Sequence, residues 1–180
     1  MKFSVLLSLY HKESPEALIQ CFESIWNNQT IKPTEIILVI DGEIGHSLQH
    51  CLSKIQVEIG YPLKTIQLPV NLGLGNALNQ GLSICTYDWI FRMDTDDICL
   101  PDRFEKQIQF ITDNPKIALF GGQVLEFNKK IEDAHTLKSV PTTPEAIKQF
   151  SLLRCPFNHM TVAYKKKVIL DLGGYQHHLY

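Results

Sequence analysis

Three carboxylates within four residues are the strongest chemical signal in this sequence. Asp94, Asp96 and Asp97 directly follow an apolar run that ends in Arg92 and Met93. Like charges this close together repel one another and cost stability unless a positive partner compensates them. Divalent cations such as Mg²⁺ and Mn²⁺ prefer oxygen ligands, and Mg²⁺ usually shares its shell with substrate phosphates. The cluster therefore predicts a cation and a diphosphate, whereas a helix cap with two solvated neighbours is the structural alternative.

Two other kinds of metal site do not fit this sequence, one because of residue spacing and one because of the number of ligands. A calcium-binding loop that began at Asp94 would need a carboxylate or amide followed by glycine, at the positions that Ile98 and Cys99 occupy. Cys155 and His159 supply two ligands, but structural zinc needs four. A lone histidine is more often structural, so the sequence by itself leaves a role for His159 at the metal or the phosphates open.

The segment NLGLGNAL, residues 71–78, resembles a dinucleotide-binding loop only superficially. Gly73 and Gly75 match its first two glycines, but Leu78 stands where the third is required. We interpret the segment as a tight turn into a helix. Its asparagines could either contact a ligand or cap and pack the turn, and they are Asn71, Asn76 and Asn79.

The elements that position these residues alternate along the chain. Apolar runs predict strands, helical spacing predicts helices, and Ser14 and Pro15 together form a helix start. This alternation is typical of an α/β fold with a mostly parallel central sheet and helices on both faces. We expect residues 128–143 to form an irregular excursion. The predicted strands are 3–9, 35–40, 63–68 and 87–93, with strand material in 116–127, and the predicted helices begin at Pro15 and cover 47–57, 74–85, 101–114 and 144–153.

Polar residues follow three of the predicted strands at the point where each ends. Parallel sheets bind ligands beyond the carboxyl ends of their strands, where loops converge and helix N-termini present amides to anions. The sequence therefore predicts one site at this edge of the sheet. Its members are Ser8, Tyr10 and Glu13 after the first strand, Asp41 after the second, and Arg92 and the carboxylates at the fourth.

Composition narrows the class of protein. A formal net charge of −2 and a pI near 6.4 offer no field that would gather nucleic acid. Five scattered cysteines without a C-x-x-C pair indicate reduced thiols and a cytoplasmic protein. No run approaches the ~20 apolar residues of a membrane span, which leaves peripheral association with the inner face of the plasma membrane open. We interpret His177 and His178 as surface residues. No motif in the sequence specifies the oligomeric state.

Six segments together resemble the family 2 glycosyltransferases, especially bacterial members that build O-antigens, capsules and exopolysaccharides. They occur in the family's order: FSVLLSLYHKE, EIILVIDG, NLGLGNALNQGL, FRMDTDDICLPDRFEKQ, NHMTVAYKK and LGGY. The resemblance implies a glycosyltransferase A (Rossmann-like) fold and a nucleotide-sugar donor, usually UDP-linked. It also implies a Mn²⁺ or Mg²⁺ cofactor on a D-x-D motif. The reaction implied is inverting transfer to a saccharide or lipid-linked acceptor.

The same resemblance implies roles for individual residues. Asp96 would ligate the metal, and Asp97 would support the site without itself binding the metal. His159 would approach the metal and diphosphate. Asp94 would contact the ribose or the metal. The remaining donor-site residues are Ser8 and Tyr10 at the base and ribose, Glu13 nearby, Asp41 at the base, and Asn71, Asn76 and Arg92.

The catalytic base is not identified by these motifs. Family members resembling this chain supply it from an acidic pair shortly after GGY, whereas this sequence ends at Tyr180, and Asp171 does not match that pair. We therefore expect residues 1–180 to form a single donor-binding domain of a longer enzyme, which binds nucleotide but transfers sugar poorly. The alternatives are a metal-dependent nucleotidyltransferase, for which a glycine-rich loop after the first strand is missing, and a non-catalytic nucleotide-sugar-binding subunit.

Overall fold

The computed structural model describes residues 1–127, 131–134 and 136–176. Over these ranges strands and helices alternate, as the sequence pattern predicted. None of the helices in these ranges is both long enough and apolar enough to cross a membrane. The strands are β1 (Ser4–Leu9), β2 (Glu35–Ile40), β3 (Leu63–Gln67), β4 (Trp89–Arg92), β5 (Leu119–Phe120), β6 (Val124–Glu126), β7 (Thr136–Lys138) and β8 (Ala163–Lys165). The helices are α1 (Pro15–Phe22), α2 (His46–Ile59), α3 (Leu74–Ile84), α4 (Arg103–Asp113), α5 (Pro144–Phe150) and α6 (Lys166–Asp171).

The central sheet has the strand order β3-β2-β1-β4-β8-β5. β1 lies in the middle and pairs in parallel with both β2 and β4. β8 runs antiparallel between β4 and β5. Because the first four strands share one direction, their carboxyl ends meet at one edge, and the prediction of a mostly parallel sheet is confirmed.

Helices cover both faces of this sheet. Val5 and Leu7 of β1 point into one hydrophobic cluster, which includes buried residues of α1, α2 and α4. Leu6, between them, points into a second cluster with α3. Successive strand residues face opposite sides, so a strand that is apolar throughout is buried on both. The predicted layering is confirmed.

The start of α1 agrees with the residue predicted from the sequence, whereas α4 begins two residues later than predicted. The Ser14 hydroxyl accepts a hydrogen bond from the Ala17 amide at 3.0 Å, with Pro15 in the first turn, as predicted. The helix that we expected to begin at Pro101 begins at Arg103 instead. The Arg103 amide donates to the Leu100 carbonyl at 3.0 Å, so a turn precedes the helix.

The excursion predicted for residues 128–143 is partly regular. Residues 128–130 and 135, like His177 and His178, lie outside the described residues. Thr136–Lys138 forms β7, which pairs antiparallel with β6 and places Leu125 opposite Leu137. The prediction of an irregular segment was therefore wrong for 136–138, where a three-residue strand is too short to give a readable alternation.

Candidate active site

The acidic residues lie in the loop that leaves β4 at the carboxyl edge of the sheet. The Met93 amide donates to the Leu6 carbonyl at 3.2 Å, and the Thr95 hydroxyl donates to the Ser8 carbonyl at 3.3 Å. These bonds hold the start of the acidic loop against the end of β1. The predicted neighbourhood of Ser8 and the carboxylates is therefore present.

One carboxylate of the cluster has a cationic side chain as its partner. Arg92 is fully buried and forms an ion pair with Asp94. Asp96 is exposed, whereas the Oδ2 atom of Asp97 is buried without a hydrogen-bond partner. Asp97 does not cap the next helix, because Asp102 occupies the N-cap position of α4. A buried carboxylate oxygen without a partner is costly, which makes this cluster suited to a positive ligand.

A fourth carboxylate, Glu13, adds to the negative charge. Burial, followed by the charges of Asp96, Asp94 and Asp97, raises the pKa of Glu13 to about 7. Burial and then the charges of Asp94 and Asp96 raise the pKa of Asp97 to about 6. Burial and the neighbouring negative charges thus both oppose ionisation of Glu13 and Asp97, and a bound divalent cation would favour their ionised forms.

Asp41 shapes the loop that faces the end of β2. Its Oδ1 accepts a hydrogen bond from the Leu72 amide at 2.7 Å, and its Oδ2 accepts one from the Gly73 amide at 2.9 Å. The Asn71 side chain donates to the Asp41 carbonyl at 3.2 Å. The carboxylate that we expected at a nucleobase is therefore already bonded to backbone, which no local sequence pattern indicated.

The remaining asparagines divide between loop and packing roles. Asn76 donates to the Leu72 carbonyl at 2.8 Å, which supports the turn into α3. Asn79 exchanges two hydrogen bonds with the backbone of Tyr175, at 2.8 and 2.9 Å. Gly73 ends the loop with a φ of +84°, as a tight turn into a helix requires. Asn79 thus holds the C-terminal segment on α3.

Tyr10 and Ser8 present different surfaces at the end of β1. Tyr10 is exposed and contacts the His11 ring edge to face at 5.6 Å. An exposed aromatic face at this edge is available to stack on a base. Ser8 is half-buried, and its carbonyl is bonded to Thr95, so its hydroxyl is the part that remains for a ligand.

His159 begins a short turn that approaches the acidic cluster from β8. Its Nε2 atom lies 3.4 Å from the Tyr175 hydroxyl, which in turn lies 3.0 Å from the Tyr164 hydroxyl. Burial and then the charge of Arg92 lower the pKa of His159 to about 4. The ring is therefore neutral at physiological pH, as a metal-binding imidazole must be. Cys155 is exposed, and its thiol donates to the Phe157 carbonyl.

Arg103 connects the acidic loop to the His159 turn, a role that the sequence did not reveal. Its Nη2 donates to the Arg92 carbonyl at 2.6 Å and to the Met160 carbonyl at 3.0 Å. Its Nε donates to Gln107, whose amide donates to the Thr161 carbonyl at 2.9 Å. An arginine at the start of the helix after the acidic motif was the available signal.

The donor set fits a cation that takes part of its shell from a ligand. Among the described residues, no group of three or more His, Cys, Asp or Glu side chains is arranged to hold a metal by itself. Asp94, Asp96 and His159 therefore do not form a closed cage. Mg²⁺ is commonly bound through one or two carboxylates plus substrate phosphates, and the exposed Asp96 beside the buried Asp97 oxygen suits that arrangement.

Curated relatives align with nearly the whole length of this chain. An uncharacterized glycosyltransferase of Haemophilus influenzae is 52% identical over 98% of the chain. The amylovoran biosynthesis glycosyltransferase AmsE of Erwinia amylovora is 47% identical over 99%. An Escherichia coli protein is 38% identical over 97% and is named UDP-Gal:alpha-D-GlcNAc-diphosphoundecaprenol beta-1,3-galactosyltransferase. The chain spans 65%, 65% and 62% of the lengths of these three relatives.

Solved structures share the fold. Staphylococcus aureus TarS 1-349 in complex with UDP-GlcNAc matches 97% of the chain, and 48% of its own, with a TM-score of 0.72 and 20% identity. The mannosyltransferase PcManGT of Pyrobaculum calidifontis, in complex with GDP-Man and Mn²⁺, matches 98% of the chain, and 48% of its own, with a TM-score of 0.69 and 15% identity. These matches confirm the predicted glycosyltransferase A fold.

A family model agrees with the fold and with the relatives. The model described as Glycosyl transferase family 2 matches residues 4–172, which include every strand and helix from β1 to β8 and the acidic loop. The resemblance inferred from the sequence is confirmed, and this chain belongs to glycosyl transferase family 2.

Proposed function

We propose that this chain binds a nucleoside-diphosphate sugar, linked to UDP, together with Mn²⁺ or Mg²⁺. The observation that carries the proposal is the acidic loop after β4, where the buried Oδ2 of Asp97 lacks a hydrogen-bond partner. Burial, together with the charges of Asp94 and Asp96, raises the pKa of both Glu13 and Asp97. Such a site needs a cation, and a cation held there has open positions for a diphosphate. The UDP-GlcNAc complex of TarS and the GDP-Man and Mn²⁺ complex of PcManGT support the ligand class.

The proposed donor site extends along the carboxyl edge of the sheet. Tyr10 would stack on the base, the Ser8 hydroxyl would face the ribose with Glu13 nearby, and Asp41 and Asn71 would shape the loop beside them. Asn76 would support that loop from the first turn of α3. Arg92 would orient Asp94 toward the ribose or the metal.

The diphosphate end of the donor would lie between the acidic loop and the His159 turn. Asp96 would hold the metal together with the diphosphate, and Asp94 and the neutral His159 would approach it from either side of the open shell. The positive charge of the metal stabilises a diphosphate leaving group when it is bound. In the inverting reaction that we propose, the acceptor hydroxyl oxygen bonds to the anomeric carbon as its bond to the diphosphate breaks. The hydroxyl proton passes to a general base, to which we assign no residue of this chain.

The proposed setting is the synthesis of a bacterial surface polysaccharide. The names of AmsE and of the Escherichia coli galactosyltransferase refer to amylovoran and to a diphosphoundecaprenol-linked saccharide. We infer a saccharide or lipid-linked acceptor and a cytoplasmic location, at the inner face of the plasma membrane. Within such an enzyme, residues 1–180 would act as the donor-binding domain.

Calorimetric titration with UDP, GDP and UDP-sugars, with and without Mn²⁺, tests the proposal. We expect UDP to bind with Mn²⁺ and to lose at least about tenfold in affinity in Asp96→Ala, because the loss of a charged contact to a ligand costs about 1.5–3 kcal/mol. Asp113→Ala, an exposed carboxylate at the end of α4, serves as the matched control and should bind like the parent. Equal affinity with and without metal would reject the proposed site. Robust sugar transfer to a defined acceptor by residues 1–180 alone would contradict the assignment of a donor-binding domain.

A further inference from the structure

A pocket of about 400 Å³ lies beside the acidic loop, between α4 and the β6–β7 hairpin. Asp97 is one of its lining residues, so the pocket adjoins the edge at which the donor is proposed to bind. Ligand pockets in proteins typically measure about 300–1,000 Å³, so this one can hold part of a substrate. The donor site described above uses none of the pocket beyond Asp97.

Apart from Asp97, whose Oδ2 lacks a partner, the polar side chains that line the pocket are largely engaged with the protein itself. The Gln107 amide accepts a hydrogen bond from Arg103 at 3.1 Å and donates one to Thr161 at 2.9 Å. Gln123 exchanges two hydrogen bonds with the Val140 backbone, at 2.9 and 2.7 Å. A saccharide needs several unsatisfied donors and acceptors, and these amides do not offer them.

The pocket presents apolar surface instead. Leu125 and Leu137 are paired across the β6–β7 hairpin, and both line the pocket while 48% and 57% exposed. Leu100, Phe120 and Phe127 add further apolar wall. Exposed apolar surface gathered in one concavity favours an apolar ligand, because contact removes that surface from water.

We propose that this pocket binds the apolar lipid chain of a lipid-linked acceptor, an inference that rests on the proposed function. Its continuity with the acidic loop through Asp97 would place the saccharide end of that acceptor next to the donor sugar. A free saccharide acceptor would leave Leu125 and Leu137 in water. The lipid chain thus accounts for a pocket that is apolar and adjoins a site for charged and polar ligands.

Calorimetry with octyl glucoside below its micellar concentration tests this pocket, with free glucose as the matched ligand. The informative variant carries Leu125→Thr and Leu137→Thr together, because threonine suits a strand but removes apolar contact. We expect octyl glucoside to bind, glucose not to bind, and the double variant to lose about tenfold in affinity. Leu152→Thr is the control, since Leu152 is 83% exposed and does not line the pocket. Circular dichroism and urea unfolding verify that each variant folds.

Three results would overturn the pocket assignment: no binding of octyl glucoside, equal binding of glucose, or equal affinity in the folded double variant. A UDP titration of the same wild-type sample, with Mn²⁺, tests the proposed function separately. UDP binding without octyl glucoside binding would reject the pocket alone. Absence of UDP binding would reject the proposed function, and the acceptor role of the pocket with it.

Discussion

At the scale of single residues, Gly42 occupies a position where a side chain has no room. Its φ is +84°, and an added Cβ would lie 2.6 Å from the backbone nitrogen of Asn71. We expect Gly42→Ala to lower the free energy of unfolding by about 1–3 kcal/mol, because the left-handed conformation and the contact both cost energy. UDP binding should weaken as well, since the Asn71 loop must shift. Urea unfolding and calorimetry measure the two effects.

Gly45→Ala is the matched control for that change. Gly45 lies in the same loop with an ordinary φ of −66°, and no atom lies within 4 Å of an added Cβ. Its substitution should cost less than about 1 kcal/mol, the difference between glycine and alanine at a helix N-cap, and leave UDP binding unchanged. An equal loss of stability in the two variants would contradict the close approach at Gly42.

The cluster of carboxylates in the acidic loop could be recognised from the sequence, but the hydrogen-bond partners of Asp41 could not. The loop is marked by an apolar run, an arginine and then clustered carboxylates. These features are adjacent in the sequence, so they can be recognised without knowledge of the fold. Asp41 bonds to amides that lie 31 and 32 residues further along the chain. Such a contact depends on how a loop after β3 folds back, which no local pattern of the sequence specifies.

At the scale of elements, α4 acts as the brace between the acidic loop and the His159 turn. Arg103→Ala would remove the donors to the Arg92 and Met160 carbonyls. We expect a loss of about 2–4 kcal/mol in the free energy of unfolding, because two partly buried carbonyls lose charged donors. Urea unfolding measures this loss.

Lys106→Ala on the same helix is the control for Arg103→Ala. Lys106 forms an exposed i,i+4 ion pair with Asp102, and such pairs contribute about 0.5 kcal/mol or less. The stability of this variant should therefore stay close to that of the parent. An equal loss of unfolding free energy in both variants would show that the hydrogen bonds of Arg103 do not stabilise the fold more than an exposed ion pair does.

The alternation of β1 to β4 with helices could be predicted from the sequence, but the position of β8 in the sheet could not. β1, β2 and β4 each show a buried apolar run, β3 is a mixed and half-buried segment, and a helix follows each of the four along the chain. β8 is three residues long and inserts antiparallel between β4 and the two-residue β5. Strands this short show no period, and their neighbours are set by tertiary packing.

At the scale of the whole molecule, a buried and hydrogen-bonded carboxylate, Glu35, lies at the edge of the sheet opposite the site. Glu35 opens β2 and is bonded to Ser4, Lys64 and Thr86 at 2.6–2.8 Å. Burial opposes its ionisation, but these hydrogen bonds outweigh burial and lower the pKa of Glu35 to about 2. A carboxylate whose folded pKa lies below its unfolded value stabilises the fold above the unfolded pKa.

Glu35→Gln should therefore destabilise the protein in a way that depends on pH. The loss at pH 7 should be no more than about 3 kcal/mol, and the difference from the parent should shrink as pH falls from 4.5 towards 2. Urea unfolding at several pH values measures this difference in stability. Glu43→Gln is the control, because Glu43 is exposed. A constant difference across that range would show that the Glu35 charge does not stabilise the fold.

The central claim is that the acidic loop holds a cation that in turn holds a diphosphate. Electron paramagnetic resonance of Mn²⁺ tests it most directly, because the signal of the free aqueous ion falls when the ion is bound. With the protein and UDP together, we expect the free signal to fall below that of UDP and Mn²⁺ alone, and Asp96→Ala to abolish the difference. An Asp96→Ala variant that depletes free Mn²⁺ as fully as the parent would contradict the account.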